Sequence, residues 1–148
     1  KSISDSININ LLAPILMSKY LSQIKSFNSL ETIIFISSVM GTVGAPGQTV
    51  YSATKSGLIG LTKSLALELS KNKIKVNCIS PGVITESKLF KKYSKSVTKE
   101  KLQEVINSHP LRAGLFKDLN YAVEFLIKNE SDWFTGQNFI LDGGYSSQ

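Results

Sequence analysis

Apolar and polar positions along the chain alternate between two periods. From Ile7 to about Tyr20, the residues Leu11, Leu12, Ile15 and Leu16 recur at helical spacing, predicting a helix that runs on to Ile24. Pro14 lies inside it and should bend it or mark a local irregularity. Ahead of it, residues 1 to 8 commit to no element beyond a cap at Ser4 or Asp5. After a connection from Ser26 to Glu31, Ile33 to Ile36 form a short continuous apolar run of β-branched and aromatic residues. Such a run predicts a strand buried on both faces of a parallel sheet. Gly41, Gly44, Pro46 and Gly47 mark a loop, and an apolar helix follows from Tyr51 to about Leu69. Its stripe of Leu58, Leu61, Leu65 and Leu69 should cover the sheet, and a second stripe of Ala53, Gly57, Gly60 and Ser64 would let another backbone come close. Lys73 to Ile79 predicts the next strand, broken by Ser80-Pro81-Gly82. Asp118 to about Lys128 predicts a short helix with Ala122, Phe125 and Leu126 inward, and Gln137 to Leu141 a last strand closed by Asp142-Gly143-Gly144. Strand and helix in alternation mean an α/β fold with a parallel sheet.

Composition narrows the class. A chain of 148 residues with 42% hydrophobic and 19% charged positions reads as one globular domain. No apolar run approaches the roughly 20 residues that span a membrane, and Lys1 opens no signal-peptide pattern. The single cysteine, Cys78, falls in the predicted Ile74 to Ile79 strand, reads as core, and fits a reducing cytoplasm. The only histidine, His109, precedes Pro110 in a predicted loop, and no His/Cys cluster has metal-ligand spacing. A zinc or triad enzyme is therefore not expected. The net charge of +6 is concentrated in Lys88, Lys91, Lys92, Lys95, Lys99 and Lys101, with Glu100 to offset them. Without a nucleic-acid motif beside them, a solvated helical face is the preferred reading over a nucleic-acid surface.

Chemistry gathers at the start of the second helix. Residues four apart share a helix face, so Tyr51 and Lys55 point into one space. An ammonium one turn from a phenol favours the phenolate, which suits Tyr51 to exchange a proton with an alcohol or carbonyl. Ser38 ends the preceding strand, thirteen residues before Tyr51, and strand, loop and helix bring the two together at the carboxyl edge of a sheet, where open α/β folds bind ligands.

Ser38-x12-Tyr51-x3-Lys55 in this context resembles the catalytic signature of the short-chain dehydrogenase/reductase family. The resemblance continues through Asn77-Cys78-Ile79-Ser80-Pro81-Gly82-Val83-Ile84, Thr135-Gly136-Gln137 and Leu141-Asp142-Gly143-Gly144, and covers nearly the whole chain. Asn10-Leu11-Leu12-Ala13 looks like the family's Asn-x-x-Gly helix segment, with Ala13 in place of Gly. The resemblance implies the second half of a doubly wound Rossmann-type sheet with helices on both faces. It also implies hydride transfer between NAD or NADP and a carbonyl or secondary alcohol. By the same resemblance Tyr51 exchanges the proton, Lys55 supports it and holds the nicotinamide ribose, Ser38 binds the substrate oxygen, and Asn10 completes a proton path. Pro81, Gly82 and Ile84 would pass over the nicotinamide. The family often has Thr four residues after that glycine, where this chain has Glu86 preceded by Thr85.

The sequence after Tyr51 looks most like 3-oxoacyl-carrier-protein reductases, which implies a small-molecule substrate or a carrier-bound acyl group. The small-residue stripe would then be a subunit contact in a homodimer or homotetramer, with close packing inside the chain as the other reading. A Gly-rich phosphate turn and an acidic or basic cofactor selector are absent from residues 1–148, which reads as the C-terminal catalytic part of a single domain. The alternative is a catalytically silent fragment that serves as an interaction or dimerisation subunit.

Overall fold

The computed structural model describes residues 2–23, 30–128, 130–131 and 133–147. The end of the first predicted helix at Ile24 and part of the Ser26 to Glu31 connection lie outside these residues.

Helix α1 (Ile3–Ile7) begins one turn before any expectation from periodicity. Ser2 is its cap, with Ser2 Oγ accepting from the Asp5 N–H at 3.0 Å and Asp5 Oδ2 accepting from the Ser2 N–H at 3.1 Å. This reciprocal box satisfies two helix-end donors and replaces the cap expected at Ser4 or Asp5. A π-helical turn, Asn8–Leu12, joins α1 to α2 (Ala13–Gln23). The irregularity expected of Pro14 is this widened turn. Pro14 has no N–H for the carbonyl four residues back, that of Asn10, and the π turn takes up the mismatch.

Strand β1 (Thr32–Ile36) starts one residue before the predicted Ile33 to Ile36 run and stops two residues short of Ser38. Helix α3 (Thr49–Leu69) follows, then β2 (Lys75–Pro81), α4 (Lys88–Ser94), α5 (Lys99–Asn107), α6 (Phe116–Lys128) and β3 (Asn138–Leu141). The sheet is parallel in the order β1-β2-β3. Strand β2 reaches Pro81, two residues past the predicted end. Residues 78 and 82 donate toward β3, through Cys78 N–H to the Gln137 carbonyl and Gly82 N–H to the Leu141 carbonyl. Pro81, of opposite parity, therefore faces β1, which has already ended at Ile36. Its missing N–H removes no ladder bond.

Leu58, Leu65 and Leu69 are buried as the stripe predicts, and Leu65, Ala66, Leu69 and Val76 form a core cluster joined by Ile33, Phe35, Leu61 and Ile74. Each such leucine contributes about 1.5–3 kcal/mol by leaving water. Val76 and Ile79, three residues apart on β2, point to opposite faces. Helix α3 covers the Val76 face. On the other, Ile79 pairs with Phe139, whose ring meets Phe134, which in turn meets Phe125 of α6 edge-on at 5.6 Å. Helices thus lie on both faces, as expected. Phe125 itself is half exposed rather than inward, and Leu126 is the buried anchor of α6. Strand β1 is only half buried, with Ile36 40% exposed, because it pairs with β2 alone among the described residues. The small-residue stripe of α3 divides. A Cβ on Gly57 would lie 2.8 Å from Leu11, so Gly57 serves packing inside the chain, whereas Ala53, Gly60 and Ser64 are exposed.

Candidate active site

The end of β1 is tied to its neighbours by two adjacent serines. Ser37 N–H donates to the Ile79 carbonyl at 2.8 Å, and its hydroxyl donates to the Lys55 carbonyl at 2.8 Å. Ser38, buried and extended, caps the short 3-10 turn Val39–Gly41, with its Oγ accepting from the Met40 N–H at 3.2 Å. Its own O–H has no partner among the described residues and is left to donate. The turn lies directly on α3: a Cβ on Gly41 would sit 2.9 Å from the Lys55 carbonyl carbon, and Ser56 Oγ donates to the Gly41 carbonyl at 2.6 Å. Gly41 is required here for close approach of two backbones.

Tyr51 and Lys55 share a face of α3, and the Lys55 ammonium lies 5.7 Å from the Tyr51 ring centroid. Lys55 Nζ donates to the Ile36 carbonyl at 2.8 Å, the last carbonyl of β1. Burial pushes the Lys55 ammonium below its ordinary pKa, while the neighbouring Cys78 thiol acts weakly the other way. Cys78 is fully buried and burial raises its own pKa, which fits core rather than nucleophile. Asn10 stands in the π turn, and its Nδ2 donates to Thr54 Oγ1 over a long 3.5 Å. Thr54, buried, donates in turn to the Tyr51 carbonyl at 2.8 Å. Asn10, Ser38, Tyr51 and Lys55 are thus linked through Thr54, Ser37 and the end of β1.

Pro81, Gly82 and Ile84 lie at the carboxyl end of the adjacent strand, so both groups occupy one sheet edge. Backbone donors in this turn are almost all used. Gly82 N–H goes to the Leu141 carbonyl at 2.9 Å, Val83 N–H to His109 Nε2 at 3.1 Å, and Thr85 N–H to the Gly114 carbonyl at 3.0 Å. The Ile84 N–H has no partner among the described residues. Glu86 is engaged elsewhere, its Oε2 accepting from the Phe116 N–H at 2.6 Å where α6 begins, and the Thr85 hydroxyl donates to the Gly114 carbonyl at 3.4 Å. The departure seen in sequence at this position therefore has a structural use: an acid at a helix N-terminus.

Next to the turn, Arg112 grips Asp118 with two hydrogen bonds of 2.7 and 2.8 Å. Those bonds, with one from the Leu115 N–H, hold the Asp118 carboxyl well below the usual carboxylate range. A cavity of about 380 Å³ is lined here by Pro81, Ile84, Arg112, Gly114, Asp118 and Ile140 among others. Its walls include Pro81, Val83 and Ile84 but not Ser38, Tyr51 or Lys55, so this cavity does not join the two groups.

Three contributors went unread in the sequence. Ser37 and Thr54 flank the chosen residues and carry no spacing signal of their own. His109 lies in the predicted loop, just after α5, but it is 4% exposed and bound at both ring nitrogens. Its signal was only that a lone histidine stands before a proline at the end of an amphipathic segment.

Residues 1–146 match the family described as enoyl-(acyl carrier protein) reductase. The 3-oxoacyl-[acyl-carrier-protein] reductase FabG of Buchnera aphidicola subsp. Baizongia pistaciae is 37% identical over 139 residues, 93% of this chain and 55% of the relative. A 4-hydroxyisoleucine dehydrogenase complexed with NADH superposes with a TM-score of 0.85 at 35% identity, covering 96% of this chain and 58% of that one. ElxO with NADP bound superposes with a TM-score of 0.83 at 31% identity, covering 99% and 58%. These likenesses establish the Rossmann-type α/β fold, and the chain spans a little over half the length of the proteins it matches.

Proposed function

Because the chain belongs to the short-chain dehydrogenase/reductase family, we propose that residues 1–148 are the C-terminal catalytic part of an NAD(P)-dependent oxidoreductase domain acting on a carbonyl or secondary alcohol. The observation that carries this reading is the half-buried Lys55 ammonium, fixed to the Ile36 carbonyl and 5.7 Å from the Tyr51 ring. A bound nicotinamide would supply or accept the hydride. The residues present fit such a group. Ile84 offers an unused N–H beside Pro81 and Gly82, and Lys55 offers a cation at the same sheet edge.

Tyr51 gives its hydroxyl proton to the substrate oxygen in reduction and takes it back in oxidation. The fixed charge of Lys55 stabilises the phenolate left behind. Ser38, whose oxygen is already occupied by the Met40 N–H, turns its free O–H to the same substrate oxygen. Asn10 is anchored to the start of α3 by its bond to Thr54, which donates to the Tyr51 main-chain carbonyl, and the family resemblance gives it the role of completing the path by which the proton is replaced. The similarity to FabG favours an acyl group on an acidic carrier as substrate, with the lysines of α4 and α5 facing that carrier. A cytoplasmic homodimer or homotetramer belongs to the same reading, supported by the reduced, buried Cys78 and the exposed remainder of the α3 small-residue stripe.

Tyr51→Phe in the complete domain tests the mechanism, since it keeps the ring and removes only the proton. Turnover is expected to fall about 10²–10⁴-fold with little change in cofactor affinity. Wild-type turnover in that variant would overturn the mechanism and favour the silent interaction subunit.

A further inference from the structure

His109 sits where three segments of this chain converge. It follows the last turn of α5, it is buried, and its ring lies 5.1 Å from that of Tyr145 near the carboxyl end. Its Nε2 lies 3.1 Å from the Val83 N–H and its Nδ1 lies 3.0 Å from the Val105 carbonyl. The partners assign the protons. An N–H can only donate, so Nε2 must accept, and a carbonyl can only accept, so Nδ1 must carry the hydrogen. Neutral imidazole of that one tautomer satisfies both. The approach is close: a Cβ on Gly82 would lie 2.9 Å from His109 Nε2 and 3.0 Å from Asp142 Cα, so glycine is what admits the ring to the turn.

We propose that His109 is a positioning residue that pins the Val83 N–H and so holds the next one, that of Ile84, unpaired and facing the cofactor side of the turn. The reasoning is one of backbone accounting. Gly82, Val83 and Thr85 have each donated to a partner within the chain, through Leu141, His109 and Gly114, and Ile84 alone among these four has not. Two of the anchors come from backbone carbonyls, of Leu141 and Gly114, that neighbouring strands or bridges would provide in any sequence of this topology. The anchor on Val83 comes from a side chain, and it is the one that a single substitution can release. Through Val105 it also couples the turn to α5. The inference rests on the functional reading above for the identity of the ligand, but not for the hydrogen bond itself.

Two substitutions separate the ring's nitrogens. In His109→Gln the amide oxygen reaches the position of Nε2 and can accept from Val83, whereas in His109→Asn the amide reaches only the position of Nδ1. Amide hydrogen exchange on the folded protein is the first measurement. The Val83 amide is expected to be protected in wild type and His109→Gln and exposed in His109→Asn, with the Ile84 amide exchanging freely in wild type. The second is the dissociation constant of NADH and NADPH for the complete domain. It is expected to weaken about three- to tenfold in His109→Asn, the scale of one hydrogen bond, and to return toward wild type in His109→Gln, while turnover at saturating cofactor moves little. Equal affinities in Asn and wild type, or a Val83 amide unprotected in wild type, would overturn the role of His109 alone. A complete wild-type domain that binds neither dinucleotide would overturn the functional reading, and this inference with it. Loss of melting temperature shared by both variants without the split in affinity would show a purely structural residue, and would likewise overturn it.

Discussion

Lys55 can be tested without any substrate. Its ammonium is held at 2.8 Å from the Ile36 carbonyl and partly out of water, and the folded chain therefore holds its pKa below the ordinary 10.5. Between that lowered value and 10.5 the unfolded chain binds more protons than the folded one, so the penalty for charging Lys55 is present at neutral pH and fades as pH rises toward 10.5. Lys55→Met removes the penalty. Its urea midpoint relative to wild type is expected to be most favourable at pH 7 and to lose that advantage progressively up to about pH 10. A difference that stays constant or grows with pH would mean that Lys55 is not desolvated. The placement of Ser38, Tyr51 and Lys55 at one sheet edge is legible in the sequence because local geometry fixes their spacing: four residues is one helical turn, and strand-loop-helix is a short connection. Thr54 and His109 are not, since each acquires its role from a partner distant in the chain. Asn10 is 44 residues from Thr54, and His109 is 26 from Val83. No local pattern encodes such a contact.

The elements were predicted most accurately where periodicity alone decides them, as in β1 and along the leucine stripe of α3. Errors came at ends and edges. Pro81 was read as a strand breaker, but a proline costs a ladder bond only if its side of the strand is paired, and that depends on where β1 stops. Phe125 was placed inward on α6, yet a three-stranded sheet leaves half of that helix face uncovered. The lysines of α4 and α5 follow the expectation of a solvated face: Lys88, Lys91, Lys92, Lys95 and Lys99 are exposed, and among the described residues Lys101 alone of the six is in an ion pair, with Glu104. Unpaired cations on one surface can still steer an acidic carrier, and salt distinguishes the two roles. Screening acts within about 10 Å at 0.1 M, so turnover of the complete domain with a carrier-bound substrate should fall as salt rises while turnover with a small neutral ketone holds steady. Equal responses would leave the lysines as solvation only.

For the molecule as a whole, the proposed catalytic groups stand on a sheet of three strands among the described residues. The 148 residues contain no strand-to-helix turn with the Gly-rich spacing that holds a pyrophosphate, where free N–H groups and the helix dipole would bind it. In the proposed reading Lys55 and the Ile84 N–H would reach only the nicotinamide end. The fold shows the same deficit as exposed apolar surface. Strand β1 has one paired edge among the described residues, Ile36 is 40% exposed, and α1, the π turn and α2 expose Ile3, Ile9, Met17 and Tyr20, each more than half open to solvent. An unpaired strand edge beside an apolar surface is a template for association. The isolated chain is therefore expected to be poorly soluble or oligomeric, and to bind NADH or NADPH no better than about millimolar, a free energy near −4 kcal/mol. Calorimetric titration of the purified chain, with its mass measured by light scattering in the same buffer, decides the point. Micromolar binding by a monodisperse monomer would mean that the nicotinamide end alone provides the affinity assigned here to the phosphate turn, and that the exposed edge is better protected than its pairing indicates.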